Sequence, residues 1–400
     1  MRLNLFLPSL FLGISLLVAS ALPGAAQAFT PFASFTAGAS AQNGTSPVER
    51  REARGMRLPA LPSLYRPIPA AVEWPTDPHT PYRLVRFTEG FHPTAINKWG
   101  DVVGNGPILT PPYLYSRGHI LPLPLFGNSA LTSALDINDR GRILGYSYLH
   151  PDCQNQFTTP IIWTPSESAR YRVSNLVSHS CDSILSATAL NNQDIATGEQ
   201  SASGFNTDAV TFSNGKVAVV RHNNGFPVGA SAINDGGQVV GSSDLDNVGN
   251  SVPFIVPVAP QCCGLYRYGY ANDINERGHV VGSSWSIPRP SVGNDSAYIY
   301  ADGRNYPIGK LPGGQYSDAI AISDSDVVVG DAGSEDPLID QHAFVWRTGH
   351  VYDLNSLMPK SFPFIFYHAI DINARGQILV SSVAKAAPQR ESCSFLLTPR

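Results

Sequence analysis

From Thr94 to the C-terminus, short apolar runs alternate with polar turns that carry glycine, and no stretch keeps the 3.6-residue period of a long amphipathic helix. One pattern recurs seven times: TAINKWGDVVG (94–104), LDINDRGRILG (135–145), TALNNQDIATG (188–198), SAINDGGQVVG (231–241), NDINERGHVVG (272–282), IAISDSDVVVG (320–330) and IDINARGQILV (370–380). The anchor positions Asn97, Asn138, Asn191, Asn234, Asn275, Ser323 and Asn373 stand 41, 53, 43, 41, 48 and 50 residues apart. A period of that size built from strand-like units is the signature of propeller blades.

Each copy has a physical reading. Ile or Leu precedes every anchor, and Ala stands four before it in all copies but the first, which has Pro93. Side chains alternate along a strand, so the two positions are expected on opposite faces of the sheet. The anchor Asn opens a tight turn, because its side chain can bond the backbone two residues on. Three residues later comes Gly100, Gly141, Gly237, Gly278 or Gly376, the spacing of a three-residue hairpin loop that ends in the left-handed region. Asp194 and Asp326 take that place in the third and sixth copies, and Asp tolerates the same region. The next strand is rich in Val and Ile and ends on Gly104, Gly145, Gly198, Gly241, Gly282 and Gly330, whereas the seventh copy has Val380.

A second hairpin follows. Its first strand reads PYLYS, PIIWT, AVTFS, PFIVP, AYIYA, AFVWR and SFLLT, and turns such as Ser213-Asn214-Gly215 and Ala301-Asp302-Gly303 lead into a fourth strand. The seventh copy stops at Arg400 after its third strand, while an orphan strand, Arg83-Leu84-Val85-Arg86-Phe87, sits ahead of the first copy. The expected fold is all-β: a seven-bladed β-propeller with four antiparallel strands per blade, closed by pairing of the N- and C-terminal segments so that no sheet edge is left open. The segment from Gln341-His342-Ala343-Phe344 to Gly349, together with the INDGGQVVG-type units, resembles the bacterial extracellular HAF-repeat proteins. That resemblance implies an exported, propeller-like repeat protein and lends no catalytic residues.

The N-terminus supplies an address. A basic start at Arg2, an apolar run from Leu3 to Ala21 and Ala26-Gln27-Ala28 together read as a cleavable signal peptide over residues 1–28. Residues 29–80, rich in Ala, Ser and Pro, read as a disordered linker, which leaves 81–400 for the propeller. The expected location is periplasmic or extracellular, as a monomer with no membrane insertion after cleavage. The net charge of −4 and the lack of a Lys/Arg cluster argue against nucleic acid as a partner.

Turn length separates two faces. The first and third turns of each copy are short and stereotyped, so the variable loops gather on the opposite face, where binding residues on a rigid scaffold usually lie. That face supplies the candidate ligand-binding residues: His92, Asp152, His179, Trp285, Arg289, Asp331 and His368. Trp285 and Tyr316 are expected as exposed rings able to stack on sugars. His150, Asp152, His179 and Asp182 could form a metal or acid–base cluster on paper, but no short ligand motif accompanies them, and decoration of two stapled loops is the favoured reading. Neither Asp331, Glu335, Asp336 and Asp340 nor Asp244-Leu245-Asp246-Asn247 has the spacing of a calcium loop. Asp136, Asp273 and Asp371 share one place, two before the anchor, and are expected to bond the local backbone, a carboxylate ring in the channel being the alternative. Of five cysteines, Cys153 and Cys181 are the expected disulfide, and Cys262, Cys263 and Cys393 are left open. No cofactor or resident metal is expected.

Two functions follow. The favoured one is a non-catalytic module that binds an extracellular protein or glycan through its variable face. The alternative is a propeller hydrolase or lyase acting on extracellular polysaccharide. Convergence of two or more of His92, Asp152, His179, Asp331 and His368 within hydrogen-bond reach would favour the enzyme.

Overall fold

In the computed structural model, the described residues are 71–400 without 75–79, 88–89, 108, 128, 130, 149–157, 178–183, 202–206, 223–224, 247–249, 258–267, 286–294, 335–340 and 387–391. They form seven antiparallel sheets that follow one another along the chain, each starting from the innermost strand that leads into an anchor turn. Five sheets have four strands, and the fourth blade shows three among its described residues. The seventh sheet closes the ring: Tyr82–Phe87 pairs antiparallel with Ser392–Pro399, from Tyr82 opposite Pro399 to Phe87 opposite Ser394. The orphan strand therefore completes the unfinished copy, as expected from the leftover strands. A further strand, Val72–Trp74, pairs with Tyr82–Phe87, so this sheet reaches back into residues expected to be linker.

The anchor turns explain both their Asn and their Gly. Asn97 Oδ1 accepts the backbone N–H groups of Trp99 and Asp101, each at 3.0 Å, and the same pairing recurs at Asn138, Asn191, Asn275 and Asn373. The turn then needs a positive φ three residues on, at 86° for Gly100 and 60° for Asp326. The third turns of blades one, three, five and six are two-residue hairpins with positive φ at both positions, such as Asn214 and Gly215, whose twist suits the flanking strands.

Sequence reasoning missed the other half of each anchor. Asn97 Nδ2 donates to the carbonyl of Asn138, Asn138 to Asn191, Asn191 to Asn234, Asn234 to Asn275, and Asn275 to Ser323. Asn373 donates to Asn97 and carries the belt across the closure. These six buried amides therefore join their own turns to the next blade, while the Ser323 hydroxyl stays in its own turn.

One expectation is corrected. Ala four before the anchor and Ile just before it lie on the same face of the sheet. Every innermost strand shifts register by one residue between them, as where Ala134 pairs with Gly145 but Asp136 with Leu144 and Ile137 with Ile143. An inserted residue of this kind, a β-bulge, reverses the alternation beyond it. Ala134 and Ile137 accordingly share one buried cluster with Ala95, Val103 and Leu114 of the preceding blade, and Ala319 and Ile322 do the same against Val281 and Ile299.

The glycines ending the second strands have a steric cause. A Cβ on Gly145, Gly198, Gly241, Gly282 or Gly330 would fall on the backbone carbonyl oxygen of Ser133, Ser186, Gly229, Tyr270 or Asp318, closer than real contacts come. Blade seven breaks the rule at Val380, which is fully buried. It alone has a second register shift, between Phe366 and His368, beside the usual one between Ala369 and Asp371.

Candidate active site

The innermost strands begin on the variable face and run towards the anchor turns, so positions five before each anchor line its side of the ring. In blades six and seven those residues are Asp318 and His368, in the strands Tyr316–Ile322 and Phe364–Ile372. Asp331, expected in a loop, belongs to the strand Val328–Gly333 and is the direct cross-strand partner of Asp318. Two carboxylates thus face each other within blade six, and blade seven brings an imidazole to them.

Asp331 is the junction. Its Oδ1 accepts the backbone N–H of Ala369 at 2.8 Å, and its Oδ2 takes His368 Nδ1 at 2.6 Å and the Gln341 amide at 2.8 Å. The first bond has a structural counterpart in blade one, where Asn105 accepts the N–H of Ala134 at 2.9 Å. The bond to His368 adds chemistry to that brace. A carboxylate that already accepts from an amide and a backbone N–H requires the proton on Nδ1, which leaves Nε2 as the imidazole's free lone pair. Nε2 has no hydrogen-bond partner among the described residues, and the His368 side chain is 41% exposed against 7% for Asp331.

The electrostatics follow from this crowding. Burial disfavours the charged imidazole, but the Asp331 carboxylate and the Asp318 charge outweigh it, and the His368 pKa is raised. Burial, then the Asp331 charge, pushes the Asp318 carboxyl up to about 7, so near neutral pH it is partly protonated and able to donate. Asp318 is held by the Asn272 amide of blade five at 2.9 Å and by the Ser283 hydroxyl. Burial and the same two carboxylates also raise the Tyr316 phenol, which stays an O–H. Tyr367 stacks beside His368 with ring centroids 6.4 Å apart.

Of the other candidates, the described ones, His92 and Trp285, do not join this cluster. Asp152, His179 and Arg289 lie outside the described residues, as do Cys153 and Cys181, the expected disulfide. His92 occupies the equivalent place in blade one, where burial lowers its pKa, and pairs with Asn105 across the strands. Trp285 is corrected: expected as an exposed ring, it is 5% exposed and packs on Tyr270 at 5.1 Å between centroids. Cys393 is a buried free thiol 3.3 Å from the Ser382 hydroxyl. Among the described residues no group of three or more His, Cys, Asp or Glu side chains is placed to hold a metal ion, and no helix is long and apolar enough to cross a membrane.

Asp136, Asp273 and Asp371 bond backbone as expected, and each spans two blades. Asp136 accepts the N–H groups of Ile137 and of Leu190 in blade three. Asp273 serves Ile274 and Ile322, and Asp371 serves Ile372 and, across the closure, Ile96. Burial pushes Asp136 up to about 6 and Asp273 up to about 7. Asp371 is raised well above its ordinary value, by burial and then by the charges of Asp273 and Asp136, so the three share the space inside the ring.

Seven sheets around one axis, closed by strands from both ends of the described chain, define a seven-bladed β-propeller. No family model and no curated protein matches the sequence. Among solved structures, the chain is similar to a selenomethionine-substituted virginiamycin B lyase from Staphylococcus aureus, at 10% identity over 80% of this chain and 100% of that one (TM-score 0.46). It is also similar to the β-propeller domain of the Trilobed protease from Pyrococcus furiosus, at 13% identity over 74% and 85% (TM-score 0.43). A third likeness is to the acylaminoacyl peptidase of Pyrococcus horikoshii, at 10% identity over 76% and 53% (TM-score 0.43). These likenesses are of fold.

Proposed function

We propose that this protein is an exported propeller enzyme, a hydrolase or lyase acting on extracellular polysaccharide, with His368 as its proton-transfer group and Asp331 as the carboxylate that orients it. The reading rests on one observation: Asp331 and His368, two of the candidates whose convergence favours an enzyme, are joined through Oδ2 and Nδ1 at 2.6 Å. A binding module needs no such pairing, in which a carboxylate fixes one imidazole nitrogen and leaves the other open towards solvent. The signal peptide and the HAF-repeat resemblance supply the exported address.

The residues divide the chemistry between them. His368 Nε2 takes a proton, either from an attacking water or from a carbon beside a carboxyl group. Asp331 stabilises the imidazolium that forms. Asp318, partly protonated near neutral pH, is the donor for the departing oxygen.

The test is a panel of polysaccharides offered to the mature protein, with products read as new reducing ends and as the absorbance of new C=C bonds. Reducing ends alone mark a hydrolase, and reducing ends with unsaturated ends mark a lyase. Tight binding of a glycan or protein with no product from any substrate would return the protein to the non-catalytic reading.

A further inference from the structure

Each innermost strand leaves one bulge residue unpaired, three before its anchor. In blades one, three and five that residue braces the ring. Thr94 donates its hydroxyl to the carbonyl of Ala134 at 3.3 Å and Thr188 to that of Ala230 at 2.8 Å, while Asn272 donates its amide to that of Ala319 at 2.8 Å. The three acceptors occupy one position, the alanine four before the next anchor. A hydroxyl has a single hydrogen, spent here on backbone carbonyls. An amide has two, and Asn272 gives the second to Asp318 Oδ1 at 2.9 Å.

The brace fixes the sense of that second bond. A backbone carbonyl can only accept, so Ala319 decides which end of the amide faces blade six, and that end is the donor. Asp318 Oδ1 is thereby an acceptor. In a protonated carboxyl the carbonyl oxygen is the better acceptor, so the proton of Asp318 is directed to Oδ2. Asp331, directly opposite, already accepts from the Ala369 N–H, the His368 imidazole and the Gln341 amide, and stays the ionised member of the pair.

We propose that Asn272 is the positioning residue for the proton donor: it holds Asp318 Oδ1 as an acceptor and so leaves Oδ2 to carry the proton that goes to the departing oxygen. This rests on the reading of His368, Asp331 and Asp318 given above. In the step itself the Oδ2–H bond breaks, the departing oxygen keeps the electrons of its C–O bond and gains that proton, and the Asn272 N–H steadies the carboxylate left behind. Asn272 touches no substrate in this account and acts through Asp318. The charged and titratable groups around Asp318 are Asp331, Asp295, His368 and Tyr316, and Asn272 is a neutral donor among them.

The experiment compares wild type, N272T, N272S and D318N in the full-length chain with aspartate isotope-labelled at the carboxyl. An NMR titration comes first, then a kcat–pH profile on the polysaccharide that gives product. D318N identifies the Asp318 signal. The bulge carries Thr in blades one and three and Ser in blade four, so both substitutions suit the fold and remove the bond to Asp318. The Asp318 pKa is expected to rise by about 1 unit, since a hydrogen bond to the charged form lowers a carboxyl pKa by that order. The alkaline limb of the kcat profile should move up with it, and kcat should fall about 10-fold with KM little changed. A role in the brace alone moves neither the signal nor the limb. An Asp318 signal that titrates as in wild type in the folded variants would overturn the positioning role alone, and so would a shifted signal with kcat unchanged. Wild-type turnover by D318N would overturn the donor assignment and this proposal with it, while leaving the Asp331–His368 pair standing. If N272T does not fold, N272S carries the comparison. Failure of both to fold would show that Asn272 serves the brace in a way Thr and Ser cannot, and the proposal would fall.

Discussion

Asn373 of the last blade donates its side-chain amide to the backbone carbonyl of Asn97 in the first, 2.8 Å across the closure and 276 positions away in sequence. The same bond joins five other pairs of successive anchors, so one short polar side chain both makes the turn and ties the ring. Ser323 is the exception. Its hydroxyl stays in its own turn, accepting the Val327 N–H at 3.1 Å.

Asn191→Ala removes the acceptor for the Gln193 and Ile195 N–H groups and the donor to the Asn234 carbonyl. The expected loss is about 2–4 kcal/mol, from unsatisfied buried groups. Asn191→Asp keeps the acceptor and should lose less. Ser323→Asn supplies the missing link to Asn373 and should gain about 1 kcal/mol. Chemical denaturation of the three variants checks the order.

The channel carboxylates set a pH dependence. Asp136 and Asp273 have folded pKa values of about 6 and about 7, raised by burial above the ordinary 3.8, and Asp371 is raised in the same sense. A carboxyl whose pKa is raised on folding binds more protons in the folded state than in the unfolded one. Its contribution is full below the unfolded pKa and is lost as pH rises through the folded value. Tm should therefore fall between about pH 4 and pH 7 from these groups. Asp273→Asn should lower Tm at every pH, because an amide cannot accept from both Ile274 and Ile322, while flattening the slope. A Tm that climbs steadily across this window would contradict the assignment.

The closure strand should be indispensable. Leu84 and Phe87 are buried at 2% and 0% exposure, and burial of such side chains contributes about 1.5–3 kcal/mol each. A chain beginning after Phe87 leaves the Ser392–Pro399 strand as an open edge and should be recovered mostly as aggregate. Soluble yield and sedimentation of the shortened chain provide the check.

Trp285→Ala should cost about 3–5 kcal/mol in stability, as truncation of a large core side chain does. A ring standing on the surface for sugar stacking would cost far less. Thermal unfolding separates the two.

Much of this architecture is legible in the order of residues. The Asn-to-Gly spacing marks the turns, Asp194 and Asp326 reveal the same left-handed position by substitution, and the strand at Arg83–Phe87 announces the closure. What is lost is whatever depends on register between strands. A bulge inside each innermost strand reverses the expected faces of Ala134 and Ile137, and nothing in the local alternation reports it. The site is lost for the same reason. Asp331 and His368 were both visible as candidates, but their meeting depends on one blade lying against the next. Asp318 was missed, although it occupies the same place before its anchor as His368 does. Aligning the copies at that place, where His92, Asp318 and His368 stand among Ser, Gly and Tyr, is the signal that would have found it.

The central claim is that His368 transfers protons in catalysis. The most direct measurement is kcat/KM of His368→Ala against wild type on the polysaccharide that gives product, with folding confirmed by an unchanged Tm. A general acid–base group contributes about 10²–10⁴-fold, so a loss of that order, carried by kcat with KM little changed, is the expected result. Turnover by the folded His368→Ala protein at the wild-type rate would contradict it.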